Sequence, residues 1–191
     1  FSLGDKPEAS FPEHRETLRR LGHRTTLGYL RAVSEMVVKE STLLPHANPG
    51  LMSARDLGAL REANVSMGIM LETTAERLGE RGGPHWASPD KVPARRLETI
   101  RLAGELAIPF TSGILIGIGE SREERIDALL ALKALGAEHG HVQEVIVQNF
   151  LPKPGTGMHA APPCPQDEYL EAIAWARLVL PPDVHVQAPP N

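Results

Sequence analysis

An apolar run at residues 108–112 leads into Gly113-Ile-Leu-Ile-Gly-Ile-Gly-Glu120, and Ser121 with Glu124 three positions on opens a helix. Strand, glycine turn and helix in that order let a ligand approach the main chain without meeting a Cβ, while a carboxylate at the turn can accept hydrogen bonds from hydroxyl or amino groups. The dinucleotide fingerprint G-x-G-x-x-G is not met, because Gly117-Ile-Gly119-Glu-Ser-Arg122 lacks the third glycine. Four other apolar segments end on polar or small residues: Gly4 and Asp5, His46 and Asn48, Glu72, and Gln148 with Asn149 followed by Lys153. Five such segment ends point to a binding cleft, since a purely structural sheet does not need all of them.

The elements that must position these residues alternate. Strands are expected at the end of 1–4, at 42–46, 65–71, 110–116, 142–150 and 184–187, six in all. Helices are expected at 12–21 and 27–38 (Leu30, Val33, Val37 as a stripe), after the cap Ser53 with Leu57 and Leu60, and from Pro93 with Leu97, Ile100 and Ala103 or Gly104 inward. Two more follow, one with Ile126, Leu129 and Leu130 as its apolar face and one with Leu170, Ile173, Ala174 and Leu178. The strands are too uniformly apolar to face water, which implies a parallel sheet covered by helices. The fold class is α/β, a partial (β/α) TIM-type barrel in a single domain over 1–191, with a doubly wound open sheet as runner-up. In such a barrel chemistry sits at the carboxyl ends of the strands. Gly/Pro-rich loops are expected at 80–91 and 152–165.

A net charge of −4 with no lysine/arginine block argues against nucleic acid or a membrane surface as partner. Cys164 is the single cysteine, so no internal disulfide forms, and a cytoplasmic setting is expected. The chain begins at Phe1 and ends on Pro190-Asn191, and it reads as a segment of a longer protein whose open sheet edges would make it prone to aggregation.

An ordered set of motifs carries a resemblance: Phe1-Ser-Leu-Gly-Asp-Lys-Pro-Glu8, Leu44-Pro-His-Ala-Asn-Pro-Gly50, Ser66-Met-Gly-Ile-Met-Leu-Glu-Thr-Thr74, Gly82-Gly-Pro-His85, Ser88-Pro-Asp-Lys91, residues 110–120, Gln143-Glu-Val-Ile-Val-Gln-Asn-Phe150 and Gln187-Ala-Pro-Pro-Asn191. Together they resemble the FO synthase family, in its CofG-type part, within the radical S-adenosyl-L-methionine (SAM) superfamily. The resemblance implies that Gly4 and Asp5 meet the SAM amino group, Glu72 the ribose hydroxyls and Arg96 the SAM carboxylate. Gly117, Gly119 and Glu120 would support the adenine. Gln148 and Asn149 would line adenine or substrate, and His46 and Asn48 would touch substrate.

It further implies a small-molecule substrate, the tyrosine-derived hydroxybenzyl adduct of 5-amino-6-(ribitylamino)uracil, closed to a deazaflavin with release of ammonia, methionine and 5′-deoxyadenosine. A CofH-type partner subunit or fused domain is implied as well. One departure stands out: the family's 4Fe-4S cluster needs three thiolates in a Cys-x-x-x-Cys-x-x-Cys run, and this chain has Cys164 alone, in a proline-rich loop. The cluster ligands are therefore expected outside this chain, and the chain by itself is expected to be inactive. The rivals are another radical SAM enzyme such as a menaquinone-branch one, a non-catalytic barrel remnant, and an aldolase using Lys153.

Blander readings stand beside these. His139-Gly-His141 lacks the ligand set of a metal site, and Gly140 reads as a helix stop. Met67 and Met70 read as barrel core, and Arg95-Arg96 as a solvated helix face.

Overall fold

Ser53 and Ser121 each precede a helical run with an acidic residue three positions on, and both build reciprocal capping boxes: Ser53 with Asp56, Ser121 with Glu124. Thr25 caps another helix by accepting from Gly28 N at 3.0 Å, and Gly140, at φ 68°, ends the longest one. The computed structural model describes residues 1–189; Pro190 and Asn191, the end of the last family-like motif, lie outside the described residues.

The elements run α1 (Pro12–Arg20), α2 (Thr26–Glu40), β1 (His46–Ala47), α3 (Ala54–Arg61), β2 (Ser66–Gly68), α4 (Pro93–Glu105), β3 (Phe110–Ile116), α5 (Arg122–His139), β4 (Val142–Asn149), α6 (Gln166–Val179) and β5 (His185–Gln187). Short 3-10 turns stand at Pro7–Ala9, Glu76–Gly79 and Pro89–Lys91. All pairings are parallel and the strand order is β1-β2-β3-β4-β5, so each crossover steps one place the same way. That is the winding of a (β/α) barrel, here in part; the runner-up, an open sheet wound in both directions, is excluded among the described residues.

One face of the sheet carries Met67, Phe110, Ile114, Ile116, Val145 and Val147, all buried in one apolar cluster with Ile100 and Ala103 of α4, Leu129 and Leu132 of α5 and Ala172 and Ala176 of α6. The other face looks into the lumen. Pairing sets Ala47 against Met67, Met67 against Phe110, and Glu72 against Ile114. Four residues of β3 therefore separate the level of Ala47 from that of Glu72, about 13 Å at the ordinary strand rise.

Several expectations need correction. The first six residues add only a bridge, Ser2 to Asn48, so five strands form among the described residues rather than six. The strand expected at 42–46 begins at His46, where the expectation ended it; Leu43 and Leu44 are exposed in an irregular stretch before Pro45. The strand expected at 65–71 is regular only over Ser66–Gly68, although Ile69 N still reaches Thr111 O and Glu72 N reaches Gly113 O. On α6 the expected stripe is displaced. Leu170 and Leu178 are exposed, and Tyr169, Ala172, Ile173 and Ala176 face the sheet, because small residues let this helix pack closely. On α5, Leu130 is exposed and Ala128, Leu129 and Leu132 are buried.

Candidate functional site

Glu72 lies where the irregular continuation of β2 leaves the sheet, in left-handed backbone conformation (φ 66°) and about nine-tenths buried. A non-glycine residue held there costs on the order of 1–2 kcal/mol, so its surroundings must over-determine it. They do. Glu72 N donates to Gly113 O and Glu72 O accepts from Leu115 N, both at 2.9 Å, which pins the residue to β3. Arg96, on the first turns of α4 and equally buried, donates from Nη1 to Glu72 Oε1 at 2.9 Å and to Met70 O. Its Nε donates to Asp90 O at 2.7 Å. Lys91 Nζ joins Glu72 Oε1 from the Pro89–Lys91 turn.

The other carboxylate oxygen differs. His85 Nε2 approaches Glu72 Oε2 to 3.0 Å without the alignment of a hydrogen bond, so this buried oxygen accepts none. Burial pushes the Glu72 carboxyl up. The adjoining His85 ring and the Arg96 and Lys91 charges outweigh burial and hold it down at about 2. The result is a carboxylate ionised at any physiological pH, with Oε1 anchored by two cations and Oε2 facing, among the described residues, the His85 ring alone.

The glycine turn after β3 is built by Glu120. Its Oε1 accepts from Gly117 N at 2.8 Å and its Oε2 from Ile118 N at 2.9 Å, while Arg125 Nε supplies the counter-charge at 2.6 Å. Gly117 has φ 87°, and a Cβ on it would come within 2.6 Å of Cys164 Cβ; Gly119 has φ 105° with nothing closer than Leu78 at 3.9 Å. In this structure Glu120 thus secures the turn with both its oxygens. The expectation that it serves a ligand directly would need it to give up one of these bonds, whereas the main chain at Gly119 is open to approach. Arg77, from the Glu76–Gly79 turn, donates to Gly119 O at 2.9 Å and pairs with Glu124 at 2.6–2.7 Å. It straps the segment after Glu72 to the glycine turn, over a small apolar cluster of Ala75, Leu78 and Ile118.

The remaining expected residues divide by level. Gly4 is exposed with open space around it. Asp5 Oδ1 accepts from Leu51 N at 2.8 Å and closes the turn at Gly50, where φ is 85° and a Cβ would meet that same oxygen at 2.6 Å. Asp5 here works as a turn clamp. Gln148 and Asn149 end β4, half-buried and level with Leu115 and Ile116. Asn48 follows β1 and bonds through its main chain to Phe1 and Leu3. His46 starts its strand, so it stands near the amino ends of the sheet and well below Glu72, with Nδ1 2.8 Å from Ser66 Oγ. Its placement at a carboxyl end is a misreading of where β1 lies.

Of the other candidates, Lys153 is exposed and Cys164 is buried behind Gly117. His141 Nε2 bonds Ile100 O at 2.9 Å on the outer, helix-covered side. Arg96 is not the solvated residue its position beside Arg95 suggested. His85, Lys91 and Arg77 were given no role from sequence. The first two stood in family-like motifs, but no periodicity announces that a 3-10 turn will carry them back onto Glu72.

No family model matches the chain. Among curated proteins, the FO synthase of Nocardia farcinica is 52% identical over 192 residues, covering all of this chain and 22% of that protein. The FO synthase of Mycobacterium tuberculosis is 50% identical over the same extent. The 7,8-didemethyl-8-hydroxy-5-deazariboflavin synthase of Methanopyrus kandleri is 48% identical, covering all of this chain and 57% of that protein. The chain thus spans about a fifth to just over half of the length of these relatives. Among solved structures, HydG, a maturase of the [FeFe]-hydrogenase, superposes with TM-score 0.71 at 16% identity, over 86% of this chain and 38% of that one. Methylornithine synthase (PylB) superposes with TM-score 0.61 at 20% identity, over 81% of this chain and 44% of that one. The likeness to the FO synthases therefore runs along the entire chain, which corresponds to one part of those longer proteins and folds as a partial (β/α) barrel shared with HydG and PylB.

Proposed function

We propose that the carboxyl ends of these strands form the SAM site of a deazaflavin-forming radical SAM enzyme, and that the chain is the barrel segment of such an enzyme. The observation that carries this is the Glu72 carboxylate: buried, ionised, strained into place, with Oε1 anchored by Arg96 and Lys91 and Oε2 accepting no hydrogen bond. A vicinal diol such as a ribose supplies the donors that such an oxygen lacks. Arg96, Lys91 and the open main chain at Gly119 provide cationic and backbone partners for the rest of the ligand.

SAM, when bound in a protein of this class, supplies a carbon radical that abstracts hydrogen from substrate. The role of this chain's residues is to hold and orient: Glu72 the sugar, Arg96 or Lys91 a carboxylate, the Gly117–Gly119 turn a flat base. The residues present do not fit a 4Fe-4S cluster, which takes three thiolates, whereas the sequence holds Cys164 alone, buried behind the glycine turn. Holding that group is not a task of these residues. In the whole protein the substrate would be the hydroxybenzyl adduct of 5-amino-6-(ribitylamino)uracil, with a CofH-type partner supplying it.

Calorimetric titration of the chain with SAM and with 5′-deoxyadenosine tests the site. Both should bind, and Glu72→Gln should weaken both by at least roughly tenfold, the loss of a charge-assisted hydrogen bond. Failure of both ligands to bind the unmodified chain would remove the proposal.

A further inference from the structure

The lumen of a complete (β/α) barrel is normally filled with branched apolar side chains. Here its lower half is polar. A cavity of about 500 Å³ opens there, lined by His46, Ser66, Thr111, Glu144, His185 and Gln187 among others; His46, Ser66, Thr111 and Glu144 stand toward the amino ends of their strands, and the lining rises to Ile146 and Gln187, level with Gly113 and one residue below the bridge of Glu72 to Ile114. We infer that this lower lumen is a binding site for an uncharged, hydroxyl-rich chain.

The chemistry of the lining selects that class. His46 is half-buried with Nδ1 against Ser66 Oγ at 2.8 Å, and burial shifts its pKa down, so the ring is neutral near pH 7 and presents one donor and one acceptor. Thr111 Oγ1 donates to Glu144 Oε2 over a long 3.3 Å, a bond a ligand hydroxyl can replace. Gln187 adds an amide, which can both donate and accept. The Glu144 carboxylate disfavours phosphates and other anions. Among the described residues no group of three or more His, Cys, Asp or Glu side chains is placed to hold a metal ion. What remains is a set of mixed donors and acceptors, which suits successive hydroxyls.

Counted along the strands, the lining runs from Ser66, about 16 Å below the level of Glu72, up to Ile146 and Gln187, about 3 Å below it. A ligand seated along this lining can reach the level of Glu72 with its reacting part while its polyol arm lies against Ser66, Thr111 and Glu144 below. The inference rests on the proposed function in one respect: it identifies the occupant with the ribityl arm of that substrate.

The probes are 5-amino-6-(ribitylamino)uracil and an analogue in which a plain pentyl group replaces the ribityl chain, each titrated calorimetrically into the chain. The ribityl compound should bind at least roughly tenfold more tightly. Thr111→Val and Ser66→Ala should each reduce that preference by roughly three- to tenfold, leaving the affinity for the pentyl compound and for 5′-deoxyadenosine unchanged. Equal affinity of the unmodified chain for the two uracils overturns the inference, as does an equal loss for both in the variants. The comparison on the unmodified chain needs no variant to fold. Because 5′-deoxyadenosine is titrated separately, a failed nucleoside site and a failed lower lumen give different results.

Discussion

Arg96 and Glu72 meet at 2.9 Å across 24 positions of sequence, both about nine-tenths buried or more. Removing one member of such a pair leaves an uncompensated charge in the interior, which costs more than the pair contributes. Arg96→Ala should therefore destabilise the fold by about 3–5 kcal/mol in urea unfolding. Lys91 touches the same oxygen from a side chain about a third exposed, so Lys91→Ala should cost no more than about 1 kcal/mol. Equal losses in the two variants would show that the cluster is not organised around Arg96.

The same carboxylate sets an acid limit. Glu72 is held at about 2 against an ordinary value of 4.5, so the unfolded chain binds its proton first as pH falls. The corresponding stability, on the order of 3 kcal/mol, is fully present above about pH 5 and disappears as pH falls toward 2. Unfolding free energies measured from pH 6 to pH 2.5 should fall more steeply for the parent chain than for Glu72→Gln.

The two glycines of the turn after β3 should respond differently to alanine. Gly117→Ala meets both a positive φ and Cys164 Cβ at 2.6 Å, and should cost more than about 2 kcal/mol. Gly119→Ala meets a positive φ alone and should cost about 1–2 kcal/mol. Thermal unfolding of the two variants gives the order directly.

His141 sets a second, milder pH dependence. Burial shifts its pKa down, opposed by its bond to Ile100 O and reinforced by His139 nearby. The folded chain then resists protonation that the unfolded chain accepts, so its contribution is intact above about 6.5 and is lost as pH falls below that value. His141→Gln should flatten the stability profile between pH 7 and pH 5.5.

The capping residues Ser53 and Ser121, the glycine stop at Gly140 and the apolar runs of β3 and β4 were legible because each is written in neighbouring residues. The stripe of α6 was misread because Leu170 and Leu178 outweigh Ala172 and Ala176 in any apolar pattern, although close packing against the sheet favours the small residues. Glu72, Gly117 and Gly119 were singled out from their place at segment ends, and Arg96 from the family resemblance; the structure brings Glu72 and Arg96 into contact. The turns that return His85, Lys91 and Arg77 to the site were not legible, because 3-10 turns in a Gly/Pro-rich loop have no period, and their side-chain contacts exist only once α4 and α5 are in place. Glu120 and Asp5 had been read as ligand groups. A carboxylate closing a turn on nearby main-chain N–H groups looks the same in sequence.

Arg77 gives the two upper loops a common fate. By holding Gly119 O and Glu124 together, it makes the segment beyond Glu72 and the glycine turn a single lever rather than two independent flaps. A ligand seated on Glu72 alone should then slow amide exchange at Gly119 and Ser121, and Arg77→Ala should silence that distant report while leaving the ligand's own contacts intact.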